Sequence, residues 1–322
     1  MDELLIGSLV GSTLRVSVPL ILCALAGVLC ERSGVIDLGL EGKMLMTAFT
    51  AATVGALTQS LPLALLAAAA VGVLLSLLHG YVCVSQRGDQ VVLGMAITMT
   101  AAGLTVVLGI AWFQQGGQTP ALPDEVRLGR WFVGAGDAVA RLPFIGKALS
   151  LALFGHTLLV YVSLALVGGV WWLLYRTRFG LRLRAAGENP AMVDAAGVSV
   201  KLLRYQALVL NGLLCSLAGS SLVLAQNPSF IPNMTAGRGY MALAAMIFGK
   251  WHPVGGLAAC LLFGFLDAVS IRLQGVELPG IGAIPVQAVQ ALPYVLTVVL
   301  LAGFIGHARA PAALGRPYVK ER

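Results

Sequence analysis

What most constrains this chain is the recurrence of long apolar stretches. Runs at about 9–30, 43–58, 62–84, 91–113, 152–175, 205–226, 237–250, 253–273 and 286–306 are interrupted by few charges. A helix that crosses a bilayer needs about 20 such residues, and it satisfies its backbone polar groups within the segment itself. The runs therefore predict an all-α fold, a polytopic transmembrane helical bundle of about nine spans. The run at 237–250 is short and crosses only if Gly237 and Arg238 sit at the headgroups. Composition excludes a water-soluble fold. Apolar residues make up 58% of the chain and charged residues 11%, against about 25% charged in an ordinary globular domain. The 39 glycines suit membrane helices that approach closely. A single membrane domain over residues 1–322 is expected.

Lys and Arg collect in cytoplasmic connections. The segment 176–204 carries Arg176, Arg178, Arg182, Arg184, Lys201 and Arg204, and the tail 307–322 carries Arg309, Arg316, Lys320 and Arg322. Placing both in the cytoplasm also brings Arg32, Lys43, Arg87 and Lys250 inside, fourteen basic residues against six outside. The N-terminus is then outside and the C-terminus cytoplasmic. On this reading the +7 net charge is a topology signal, and nucleic-acid binding is not implied. Trp171, Trp172 and Tyr175, and likewise Trp112 and Phe113, fall at span edges as interfacial belts do. Residues 114–150 become the long external connection, of the kind that carries a role or partial structure of its own. The opening Met-Asp-Glu is acidic, unlike a cleaved signal peptide, so the first run is expected to stay as a helix. Cys23, Cys30, Cys83, Cys215 and Cys260 lack CxxC spacing, and His79, His156, His252 and His307 are scattered. Both sets read as packing residues, with no disulfide framework or metal site.

Three segments carry more information. In 176–204, Asn189 suits an N-cap, Pro190 the first helical position, and Gly197 a left-handed end after Ala191 to Ala196. Such a two-turn helix is too short to stand alone. It packs either on a partner protein or flat on its own domain. In Glu31–Gly42, glycines at 34, 39 and 42 and the carboxylates of Asp37 and Glu41 interrupt the apolar chain. Ionisable groups at membrane depth point to function, and broken helices often form transport sites. The same two carboxylates could instead cap the second helix at the headgroups. Both readings stay open. In 227–240, a polar, Pro- and Gly-bearing turn precedes the short run and fits a vestibule or gate. Gln226, Asn227, Phe230 and Met234 are its candidates, with Asn211 on the preceding helix. For Asn211 an interhelical hydrogen bond is the plainer role.

Catalytic signatures are missing. Gly146-Lys147 is followed by Ala148 and lacks the upstream glycine of a phosphate loop. No nucleophile elbow, HExxH helix or dinucleotide fingerprint is present. The chain reads as a carrier of solute rather than an enzyme, with its energy from another chain or from an ion gradient.

These segments, in this order, resemble permease subunits of ABC importers of the branched-chain amino acid, ribose and nucleoside superfamily. ERSGVIDLGLEGKML, AAGENPAMVDAAGVSVKLLRYQA and NMTAGRGYMALAAMIFGKWHPVGG are closest to the simple-sugar and nucleoside branch. The likeness runs from about residue 12 to 306. Two positions depart from the usual form, which has Asn at Asp37 and an apolar residue at Lys43. The resemblance implies that Pro190–Ala196 is a coupling helix docking in a cytoplasmic ABC ATPase, which binds ATP and Mg on its own chain. It makes Gly187, Glu188, Asn189, Pro190, Ala191, Asp194 and Gly197 the coupling residues. It also implies a second permease subunit, in this branch commonly a different and longer chain. An extracellular or periplasmic solute-binding protein, often a lipoprotein, would deliver the solute. The whole would sit among the lipids of a prokaryotic cell membrane and import a nucleoside or simple sugar by alternating access. A gradient-driven secondary transporter is the alternative, and it would call for inverted repeats and paired membrane carboxylates.

Overall fold

The computed structural model describes residues 2–141, 146–273 and 309–319, with 277–278, 282–283, 291, 295 and 299. Apart from a two-residue antiparallel pairing of Glu277–Leu278 with Gly282–Ala283, the described chain is helical and irregular. In order, the helices are α1 Asp2–Arg32, α2 Leu40–Thr58, α3 Leu61–Gly80, α4 Gln90–Phe113, α5 Val133–Ala140 and α6 Gly146–Leu153. Then follow α7 Leu158–Arg176, α8 Arg178–Glu188, α9 Pro190–Ala195, α10 Val200–Ser221, α11 Arg238–Phe248 and α12 Pro253–Leu273. π-helical turns extend α3 to Ser85 and α10 to Gln226.

Nine spans are corrected to six among the described residues: α1, α3, α4, α7, α10 and α12. α2 is 19 residues long but starts with Glu41 and Lys43 in LEGK, which lowers its hydropathy. α11 has 11 residues and rises about 16 Å, half of a core about 30 Å thick. The ninth expected run, 286–306, lies almost wholly outside the described residues.

α1 and α10 are buried along most of their length, whereas α3, α4, α7 and α12 turn most of their surface outward. Small residues let the inner helices touch. A Cβ on Gly72 of α3 would lie 2.5 Å from the Gly212 carbonyl of α10, and the reverse holds for Gly212. A Cβ on Gly219 would collide with Thr47 and Met44 of α2, and one on Gly264 of α12 with Ser17 of α1. Without water to drive helices together, such close backbone contact supplies much of the association. The connection after α4 is folded rather than loose. Thr119, Leu122 and Leu128 donate backbone hydrogen bonds to Phe230, Pro228 and Leu224, and α6 packs on α1 at Gly7 and Gly11.

Candidate functional site

The segment between α7 and α10 forms the two-turn helix as its residues dictate. Asn189 is extended, and its side chain accepts from the Met192 N–H at 3.2 Å. Pro190 occupies the first helical position. Gly197 closes the end at φ 77°, where a side chain would be strained. Asn189, Ala191 and Gly197 are exposed and Pro190 is half-buried. Met192 of α9 is 69% exposed. Gly187 is buried, and a Cβ there would run into the backbone at Arg32 and Gly34.

Two of the carboxylates in this segment hold the chain's own tail. Glu188 accepts from the Ala312 N–H at 3.3 Å, and Asp194 from the Tyr318 hydroxyl at 3.0 Å. The tail also gives the Ala313 N–H to the Gly187 carbonyl and the Gly315 N–H to that of Gly34. The segment around α9, the loop after α1 and the tail thus form one layer at one end of the bundle.

A second constellation lies deeper. Asp37 and Lys43 are fully buried and paired at 2.6 Å. Lys43 also donates to Asn211 Oδ1 at 3.0 Å, as does the Ser76 hydroxyl, while Asn211 Nδ2 donates to the Ala26 carbonyl at 3.1 Å. His79 Nε2 donates to the Ile36 carbonyl, and its Nδ1 lies 3.4 Å from Asp37 Oδ1. The remaining Asp37 oxygen capacity takes the Gly39 N–H. The network binds α1, α2, α3 and α10 around one buried ion pair, which fits the rule that buried charge must be paired and hydrogen-bonded.

Glu41 does cap a helix, but α11 instead of its own. Its two oxygens accept from the Gly237 N–H at 2.8 Å and the Gly239 N–H at 2.6 Å, at the positive end of the α11 dipole. Arg238 therefore sits beside the start of α2. From there α11 runs to a turn where Trp251 Nε1 donates to Glu31 at 2.6 Å and Arg32 donates to the Trp251 carbonyl. So α11 is a half-helix, fixed at both ends by α1 and the start of α2.

The other expected path residues lie from the π-helical end of α10 to the turn before α11. Gln226 donates to the Arg15 carbonyl and Asn227 to that of Leu222. Phe230 is buried edge-on to Phe49, with centroids 5.2 Å apart, and its N–H goes to Thr119 Oγ1. Met234 is buried nearby in the chain. The structure thus brings Asp37 and Asn211 together, sets Glu41 at the adjoining helix start, and gives Gln226, Asn227 and Phe230 hydrogen-bond partners outside that network. Reading the sequence missed Lys43, Ser76 and His79 as members of the network. Only Lys43 carried a signal, as a charge where the usual form is apolar.

A helical bundle with a capped two-turn helix on one end and a half-helix started by a carboxylate matches known proteins along nearly its whole length. A family model described as the branched-chain amino acid transport system / permease component matches residues 9–302. The chain belongs to this permease family. It is 39% identical over 318 residues, 97% of this chain and 96% of the relative, to the guanosine ABC transporter permease protein NupQ of Bacillus subtilis. It is 37% identical over 322 residues, 98% of this chain and 97% of the relative, to the nucleoside ABC transporter permease protein NupC of Lactococcus lactis. A solved ABC transporter assigned to the metal-chelate type, in an inward-facing conformation, shares the fold. Its TM-score is 0.50 at 17% identity, covering 92% of this chain and 85% of that one. This permease is accordingly an ABC transport subunit and not an enzyme, a multi-pass protein of the cell membrane.

Proposed function

We propose that this permease imports a nucleoside, with a simple sugar as the second candidate. The observation that carries this is near-full-length identity, 39% and 37%, to permeases named for guanosine and for nucleosides. In the proposed assembly, α9 is the coupling helix. Exposed Met192 and Ala191, with Asn189 and Pro190 at its start, meet a cytoplasmic ABC ATPase that binds ATP and Mg. Gly187, Glu188, Asp194 and Gly197 shape that docking face, and the bonds of Glu188 and Asp194 to the tail set its height. Orientation follows the basic residues, with the N-terminus outside and the tail in the cytoplasm. The half-helix α11 and the buried Asp37–Lys43–Asn211 network frame the path. Gln226, Asn227, Phe230 and Met234 belong to its outer part, where an extracellular solute-binding protein delivers its cargo. A second permease chain completes the passage.

The test is uptake by proteoliposomes holding this permease with its ATPase, second permease and binding protein. Labelled guanosine should accumulate only with ATP inside the ATPase compartment, and glucose should compete weakly. Accumulation of glucose with no guanosine uptake would move the substrate to the sugar class. Uptake driven by an ion gradient without ATP would overturn the importer reading.

A further inference from the structure

The half-helix α11 ends in a turn that its own residues do not favour. The Lys250 and Trp251 N–H groups bond back to the Ile247 and Met246 carbonyls at 2.9 and 3.1 Å. That pattern closes a helix on a left-handed residue, ordinarily Gly. Here the left-handed position is Lys250, at φ 55°, and Trp251 follows it at φ 54°. Neither side chain suits that conformation. Backbone of this kind keeps its shape only while its surroundings hold it. The holding groups sit at the end of α1. Arg32 donates from Nε to the Trp251 carbonyl at 3.0 Å and from Nη2 to the Lys250 carbonyl at 3.4 Å. Glu31 accepts from Trp251 Nε1 at 2.6 Å. Trp251 is buried, whereas the Lys250 side chain is exposed.

Two contacts reach this turn from the segment before α9. Gly187, near the end of α8, lies so close to α1 that a Cβ on it would collide with the Arg32 carbonyl. Arg184 of α8 places its guanidinium 4.6 Å from the centre of the Tyr175 ring, and that ring lies 5.1 Å from the ring of His252. The first contact leads to the residue that holds the two left-handed carbonyls, the second to the residue that follows them. At its start α11 is held by Glu41. We propose that Lys250 and Trp251 form a two-state joint through which movement of α8 and α9 reaches α11. A shift of Arg32 and His252 releases the left-handed pair, and the half-helix tilts about its start. A few residues at an element's end that absorb a change of φ and ψ are what such a motion needs, and the two contacts bias one state against the other. Glu31, Arg32, Arg184 and His252 are then positioning residues for transport. The joint rests on the reading of α9 as the coupling helix.

The experiment follows amide exchange by mass spectrometry in the complex of this permease with its ATPase, second permease and binding protein, with and without ATP and Mg. In the parent, ATP should change exchange in both α9 and α11. Lys250→Gly is the discriminating variant, because Gly adopts the left-handed conformation without penalty and the side chain removed is exposed. The present turn then persists without help from Arg32, and α11 no longer follows α9. The melting temperature should match or exceed the parent's, and the ATP-dependent change in α9 should remain. The change in α11 should shrink about fivefold or more, the effect of a glycine-sized bias on a two-state equilibrium, and uptake should fall with it. His252→Leu cuts only the ring contact and should give a partial loss, with α9 still responding. A parent-like α11 response in Lys250→Gly overturns the joint, and one in His252→Leu overturns the route through the rings. If ATP moves α9 but not α11 in the parent, the joint alone fails. If α9 itself does not respond, the coupling reading fails and the joint falls with it.

Discussion

Asp37 and Lys43 depart from the usual form of this permease signature at two positions, and the structure shows that the departures belong together. Each charge neutralises the other at 2.6 Å and full burial. The spacing of six residues concealed this, because i and i+6 do not face each other on a helix. The chain breaks between them at Leu38 and Gly39, which turns Lys43 back onto Asp37. Ser76 and Asn211 joined from 33 and 168 residues beyond Lys43, with no local sign of it. The expected outcome of Lys43→Leu alone is a loss of about 3–5 kcal/mol, because it strands a buried carboxylate. Asp37→Asn combined with Lys43→Leu, the arrangement usual in the branch, should recover most of that loss or all of it. Melting curves of the purified single and double variants check this. A double variant no better than the single one would show that the pair does not organise this site.

At the scale of elements, α9 was legible almost residue by residue, because its signals are local. An Asn cap, a Pro at the first position and a left-handed Gly act within one turn of the backbone they control. Asn189→Ala should fray α9 at a cost of about 1 kcal/mol. Deleting Asn189–Gly197 should abolish solute-dependent ATP hydrolysis in the reconstituted complex while basal hydrolysis and the membrane fold persist. Unchanged stimulation in the deletion variant would remove α9 from the coupling route. The length of α11 was not legible, since an apolar run does not record the depth at which it begins. That depth is set by Glu41, 196 residues before Gly237 in the chain. Glu41→Ala leaves two N–H groups at the α11 start without their acceptor, at about 1–3 kcal/mol each, so amide exchange in α11 should accelerate by tenfold or more. Glu41→Gln keeps an acceptor oxygen and should fall between. Equal exchange in all three proteins would mean that α11 is held by packing alone.

For the whole molecule, the geometry orders the two ends of the bundle relative to each other, and the proposed orientation takes their sides from the charge pattern. Ala313 and Gly315 of the tail bond to Gly187 beside α9 and to Gly34, and Arg204 bridges Ser33 to Arg316, so these segments share a side whichever side that is. The Thr119–Phe230 contact marks the other end. The basic residues that lie with this layer, Arg176, Arg178, Arg182, Arg184 and Lys201 around α9 and Arg316 in the tail, then favour that end as cytoplasmic. Thiol mapping can test this directly, because all five native cysteines are buried and give little background. Glu125→Cys, at an exposed site in the connection after α4, should react in intact cells with a membrane-impermeant maleimide. Arg316→Cys, exposed in the tail, should react only after the membrane is opened. Gln59→Cys, at the left-handed end of α2, belongs to the Glu125 side, since α2 starts in the Asp37 network and runs away from α9. The reverse labelling of all three would invert the protein and detach α9 from any cytoplasmic ATPase. A split between Gln59 and Glu125 would instead break the path traced for α2, and with it the placing of Glu41 at the start of a half-helix.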